Sequence, residues 1–248
     1  MCVREGHVKL SRAIQAITRA RKRGLSLCFF LLAASALPGT VSEAQRHVRA
    51  NFSPPAAGLD IALVREADQR LAQLGYWIDN NPGAASPDKA AITAFQKEEG
   101  LDRTGRLSML DVNALRSAAP PKPVETGYPH VEVDLGKQVL FFVDAAGVVS
   151  RILPISSGSG KMFTSQGRTR RAVTPTGKFT VSRKIAGWHK SPLGVLYYPN
   201  YINEGIAIHG NPAVPVHPAS HGCIRIPMFA SKEFSQMTPP GTIVIVHD

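Results

Sequence analysis

Val131-Glu132-Val133-Asp134-Leu135-Gly136-Lys137-Gln138-Val139-Leu140-Phe141-Phe142-Val143 is the stretch on which the reading of this 248-residue chain turns. Val131, Val133 and Leu135 alternate with Glu132 and Asp134, the period of a half-exposed strand. Gly136-Lys137-Gln138 turns the chain, and the unbroken apolar run Val139 to Val143 suits a strand buried on both faces. Ala145-Ala146-Gly147 turns it again into Val148 to Ile155. Lys178-Phe179-Thr180-Val181, Gly205 to His209 and Ile243 to Val246 continue the series, with one short helix near Pro227 to Gln236. Residues 128–248 therefore read as a mostly β domain with long loops.

Upstream of Tyr128 the period changes. Residues 117–127 contain Ala-Ala-Pro-Pro-Lys-Pro and read as a stiff, extended linker. Before it, residues 59–116 carry helical signals. Leu59, Leu63, Ala67, Leu71 and Leu74 recur at helical spacing up to Gly75. Ser86-Pro87 opens a second helix bearing Ala91, Ile92, Phe95 and Gln96, which stops at Gly100. Ser108-Met109-Leu110-Asp111 has capping-box spacing and starts a third. The expectation is a small three-helix domain preceding the β domain.

Residues 45–58 read as a loose segment, and residues 1–44 as an export signal. Arg19 to Arg23 leads into an apolar run from Leu25 to Leu37, too short to span a bilayer as a helix. Ser42 and Ala44 suit signal peptidase. The basic stretch before the apolar run is long for a signal, so either translation starts downstream or the extension is tolerated. Cys28 sits near the start of the apolar run, most of which follows it, instead of after the run, which excludes a lipoprotein attachment site. The formal charge is +11; with seven Lys/Arg and two Asp/Glu in the leader, the remainder carries 22 against 16, a net +6. Residues 161–190 hold eight Lys/Arg and no acid. That segment is either a surface for an anionic polymer or a solvated basic loop. Nucleic acid is excluded as a partner by the export signal and the absence of any nucleic-acid motif.

Of three cysteines, Cys2 and Cys28 lie in the leader, so cleavage leaves Cys223 as a lone thiol in an oxidising compartment. Its setting is Ser220-His221-Gly222-Cys223-Ile224-Arg225. Gly205 to His209 reads as a strand that ends on an imidazole, with Ala207 and His209 on one face and Ile206 and Ile208 on the other. An imidazole that takes the thiol proton makes cysteine a competent acyl acceptor. Gly222 permits a turn that aims backbone N–H groups at a developing oxyanion. Arg225 can grip a carboxylate with two parallel hydrogen bonds.

Ile208-His209-Gly210 followed by Ser220-His221-Gly222-Cys223-Ile224-Arg225 resembles the signature of the YkuD-type L,D-transpeptidases. Val133-Asp134-Leu135, Gln138-Val139-Leu140, Thr174-Pro175-Thr176-Gly177-Lys178-Phe179 and Gly241-Thr242-Ile243-Val244 extend the resemblance over residues 128–248. It implies a β-sandwich-like catalytic fold. It also implies that Cys223 attacks the carbonyl before the terminal D-alanine of a peptidoglycan stem tetrapeptide. His209 is then the base, oriented by the Gly210 carbonyl, and His221, Gly222 and Cys223 supply N–H groups to the oxyanion. Ser220, Arg225 and Gly210 are assigned to substrate binding, and no cofactor or metal is required. A stem amine as acceptor gives a 3→3 cross-link, water gives a carboxypeptidase, and a protein lysine anchors a partner protein to the wall. Two departures stand out: only ten residues separate His209 from Ser220, and residues 161–171 form a long basic insertion. Leu71-Ala72-Gln73-Leu74-Gly75-Tyr76, Ala94-Phe95-Gln96, Gly100-Leu101 and Thr104-Gly105 resemble the three-helix peptidoglycan-binding domain of wall enzymes, which would tether the enzyme to its polymer. Both resemblances place the protein in the periplasm or cell envelope.

Two other readings compete. His209, His217, His221 and Cys223 include enough soft ligands for a tetrahedral zinc site, although no carboxylate is at hand to support it. A non-catalytic wall-binding protein is the other, against which the intact His209 and Cys223 argue.

Overall fold

The computed structural model describes residues 59–79 and 88–248, so the leader, the loose segment and Ser86-Pro87 lie outside the described residues. Three helices come first. α1 (Ile61–Gln73) starts at Asp60, whose carboxylate accepts from Ala62 N, and closes at Gly75, which takes a φ of +92°. α2 (Lys89–Glu98) is capped by Asp88, which accepts from Ala90 N at 2.8 Å. α3 (Met109–Ser117) carries a reciprocal capping box between Ser108 and Asp111.

Strands follow from His130. The first sheet runs β3 (Val149–Pro154), β2 (Val139–Val143), β1 (His130–Asp134), β12 (Ile243–His247), β6 (Gly177–Thr180). The second runs β11 (Ile224–Ile226), β10 (Ile206–Gly210), β9 (Gly194–Asn203), β7 (Arg183–Lys184), with β8 (Trp188–Ser191) also paired to β9. β4 (Met162–Ser165) and β5 (Arg168–Arg171) form a separate hairpin from the basic insertion. α4 (Met228–Met237) packs on β9 and β10. No helix among the described residues is long and apolar enough to cross a membrane.

Period-2 strands bury alternate residues, and here the two sheets share one core. Val131, Val133, Leu140, Phe142, Val244 and Val246 meet Ile202, Ile208, Ile224 and Ile226, with Phe234 of α4 in the same cluster. β2 is buried on both faces because its other side, Val139, Phe141 and Val143, is covered by Leu71, Ala91, Phe95 and Leu115 of the helices. The helices thus complete a second core on the outer face of the first sheet. Trp77 N donates to Ile152 O and Ile152 N to Gly75 O, which adds the segment after α1 to the β3 edge.

One expectation is corrected. β1 was read as half-exposed, yet Glu132 has no exposure at all. Its carboxylate accepts from Val124 N, Glu125 N and His130 Nε2 at 2.8–3.1 Å. The proline-rich segment lies over β1, so the face that alternation assigns to water is covered by chain.

Candidate active site

β10 and β11 run parallel, with Ile208 opposite Ile224 and His209 opposite Arg225. Strand alternation sends Ile208, Ile224 and Ile226 into the core between the sheets. Ala207, His209 and Arg225 share the other face, and Cys223, the residue just before β11, joins His209 on the wall of the same cleft. Ala207 packs with Leu196 and Tyr201 beside the partly buried Cys223. This face opens into a cleft of about 460 Å³ whose walls include His209, Ser220, His221, Cys223, Arg225 and Phe163.

The loop before the thiol is held from several sides. Ser220 Oγ donates to Cys223 O at 2.5 Å and accepts from Gly222 N at 3.0 Å. Thr174 Oγ1 donates to Gly222 O at 2.7 Å and accepts from Gly158 N. Ser156 and Arg225 exchange two backbone hydrogen bonds, and Ser220 N donates to Ser157 O. Gly222 has a φ of +136°, and a Cβ there would meet Ile206 Cδ1 at 2.8 Å and Val173 O at 3.0 Å. Only glycine fits this turn.

His209 is 3 % exposed and its Nδ1 lies 2.9 Å from Gly210 O. A carbonyl only accepts, so the proton sits on Nδ1 and Nε2 is left as an acceptor. Burial pushes the imidazole down to about 4; the Gly210 hydrogen bond works the other way, and the Arg225 charge adds to the fall. Burial pushes the Cys223 thiol up, against a backbone hydrogen bond from Ala207 and the Arg225 charge. The resting pair is therefore neutral thiol and neutral imidazole at neutral pH. Cys223 Sγ donates to Gly205 O at 3.7 Å and makes no hydrogen bond to His209 in this conformation.

The remaining expected residues separate. His221 is exposed and packs edge-on against Phe163 of β4, with ring centroids 4.7 Å apart. Gly210 and Gly222 do not line the cleft. Gly210 instead lets α4 approach β10, since a Cβ would fall 2.2 Å from Ser231 Oγ. Gly222 N is already engaged by Ser220, so of the three amides expected at the oxyanion it is the one with a partner inside the loop. The four candidate zinc ligands do not converge; among the described residues no three His, Cys, Asp or Glu groups are arranged to hold a metal. His217 is exposed, and its carbonyl accepts from Ser156 Oγ.

The basic insertion of residues 161–171, which stands out in the sequence as a candidate lid or groove, forms the β4–β5 hairpin on one wall of the cleft, whereas sequence reasoning missed the β8–β9 hairpin on the other. β4–β5 brings Phe163, Ser165 and Arg170; β8–β9 brings Lys190, Leu193 and Val195. The aromatic and β-branched run around Val195 to Ile202 was a usable signal, interrupted by Pro199.

Residues 128–246 match the YkuD family, described as the L,D-transpeptidase catalytic domain. An L,D-transpeptidase crystal structure (residues 123–326) from Xylanimonas cellulosilytica is 35 % identical, with a TM-score of 0.69, over 78 % of this chain and 97 % of that one. That share of the chain exceeds what the β domain alone supplies. An L,D-transpeptidase from Stackebrandtia nassauensis is 23 % identical over 79 % of this chain and 98 % of its own, with a TM-score of 0.47. The catalytic domain of an E. faecium L,D-transpeptidase is 26 % identical over 50 % of this chain and 99 % of its own, with a TM-score of 0.38. No curated protein matches the chain.

Proposed function

The chain belongs to the L,D-transpeptidase family, and from that premise we propose that it cross-links peptidoglycan stem peptides through a Cys223 acyl-enzyme. The observation that carries this reading is that Cys223, His209 and Arg225 line one cleft, with His209 opposite Arg225 in the β10–β11 register and Cys223 packed beside Ala207.

The reaction starts with the donor carbonyl, between the third stem residue and D-alanine, over the thiol. His209 Nε2 takes the thiol proton as sulfur attacks, and the oxyanion is met by backbone N–H groups of His221 and Cys223. Because both groups rest neutral, proton transfer accompanies attack. Collapse breaks the C–N bond, and the imidazolium gives its proton to the departing D-alanine nitrogen. Arg225 suits the terminal carboxylate of that leaving group. A stem amine then attacks the thioester, gives up a proton to His209, and expels the thiolate. The 3→3 amide remains.

α1 and α3 flank a surface hollow lined by Gln69, Arg70, Gln73 and Arg116, polar groups that suit a wall glycan or peptide. The reading entails export, with the enzyme working in the periplasm or cell envelope.

The test is mass spectrometry of tetrapeptide muropeptides incubated with the protein and with Cys223→Ala. Loss of D-alanine together with a dimer joined through two third-position residues, absent in the variant, is the expected result. Trimmed monomers alone would identify a carboxypeptidase. No Cys223-dependent change would leave a non-catalytic wall-binding protein.

A further inference from the structure

The cleft carries more positive charge than the chemistry above uses. Arg170 of β5, Arg183 of β7 and Lys190 of β8 line it together with Arg225, and none of its lining residues is an Asp or Glu. Among the described residues, the side chains of Arg170, Lys190 and Arg225 make no ion pair and no hydrogen bond within the protein. Arg183 is the exception, its guanidinium stacking 3.9 Å over the Tyr201 ring. Among the described residues three cations outside the cleft pair with acids, Arg116 with Glu66, Lys137 with Glu98 and Lys178 with Glu125; what sets the cleft apart is that its cations converge on one concave surface that no acid lines.

Unpaired cations that face one concave surface from separate elements repel one another, and an anionic ligand offsets that repulsion. Arg225 answers one carboxylate, the terminal one of the leaving group. Arg170 and Lys190 come from two hairpins outside the β10–β11 pair, so they meet parts of the donor remote from the scissile bond.

Resting on the transpeptidase reading, we propose that Arg170 and Lys190 make this site selective for stem peptides whose side-chain carboxylates are free. The distal carboxylate of a diamino-dicarboxylic third residue is the group they receive. Stems in which that acid is a carboxamide, or in which a plain diamino acid without a distal acid takes its place, are the disfavoured donors. A carboxamide keeps the shape but loses the charge, so it forfeits charge-assisted hydrogen bonds while leaving the reacting carbonyl unaltered. Attraction over this range is screened by salt, which makes the preference dependent on ionic strength.

The experiment uses the full chain and two synthetic tetrapeptides that differ only in a free or amidated distal carboxylate on the third residue. D-Alanine release is followed for wild type, for Arg170→Ala/Lys190→Ala and for Arg170→Lys/Lys190→Arg. Wild type should favour the free acid by about tenfold in kcat/KM, as expected for charge-assisted contacts. The preference should reside in KM and shrink as salt rises. The double alanine variant should bring the ratio close to one, and the charge-keeping variant should retain it. Equal use of both donors by wild type, or a preference that survives the double alanine change, overturns the inference while the transpeptidase reading stands. Release from neither donor by wild type removes that reading and the inference with it.

Discussion

Two buried histidines of this protein sit in opposite circumstances. His130 lies in the first sheet with Nδ1 on Tyr128 O and Nε2 on Glu132, both at 2.8 Å, and Glu132 is in turn filled by two backbone N–H groups. His209 lies in the second sheet with one ring nitrogen on Gly210 O, and no other hydrogen bond involves the ring. A polar group buried with every valence satisfied holds chain in place. One buried with a valence open toward a cleft holds reactivity in reserve. The difference teaches that burial alone does not mark the site, nor does a free nitrogen alone, since His247 Nε2 beside Glu132 is buried without a hydrogen bond as well; a free nitrogen on the wall of the cleft does.

The largest break in this comparison comes at His209. His209→Gln keeps roughly the same volume and a carbonyl-facing amide but loses the basic nitrogen. D-Alanine release should fall about 10²–10⁴-fold, the usual worth of general base catalysis, with the unfolding midpoint little changed. A companion pH profile sharpens the assignment. An imidazole held at about 4 is already neutral at pH 5, so the acid limb of kcat/KM should lie near pH 4. An acid limb near pH 6.5 would mean that His209 titrates as a solvated group and that the geometry described is wrong.

At the other histidine's partner the pattern should invert. Glu132→Ala strips the acceptor from Val124 N, Glu125 N and His130, leaving buried donors unpaired. We expect a loss of about 3 kcal/mol in urea unfolding, in line with broken buried polar networks. The kcat/KM per folded molecule should change by less than threefold. A drop of a hundredfold in turnover with stability intact would show that the first sheet participates in the chemistry and would erase the distinction.

The sequence made the two histidines unequally legible. His209 stands at the end of an alternating strand and close in sequence to a thiol motif, so its place on one cleft with Cys223 was legible from the chain. β2 and β12 fall where apolar runs mark them, and α4 falls on the weak helical signal after Pro227. Glu132 reads as exposed because strand alternation knows nothing of the segment laid over it. The cover is a tertiary event with no local signature. The same holds for Arg170 and Lys190. In the chain they belong to a basic run spread over residues 161–190, and only the folding of two hairpins brings them to one cleft. The helical segment had a clear period, but its union with the sheet through Leu71, Phe95 and Phe141 depends on both apolar faces at once.

Lys97 offers the finest test, because it is buried like His209 yet lies away from the cleft. It is 1 % exposed, its Nζ donates to Ile155 O at 2.7 Å, and no acid accompanies it. Burial, helped by Arg103, pulls the ammonium down to about 7. For a base with a lowered folded value, the fold sheds its proton while the unfolded chain keeps it. Stability therefore rises with pH from about 7 up to the ordinary lysine value, and the penalty is fully present below about 7. Lys97→Met removes this contribution, so the variant's stability relative to wild type should fall by about 2 kcal/mol between pH 7 and pH 9. Urea midpoints at pH 6, 7.5 and 9 measure it. Turnover should stay within threefold, because Ile155 O holds the lysine rather than the substrate. Equal pH slopes in the two proteins would mean that Lys97 reaches water and stays charged. A large loss of turnover would mean that an under-satisfied buried group acts on the reaction even without a cleft beside it, and the criterion drawn from His130 and His209 would need a further condition.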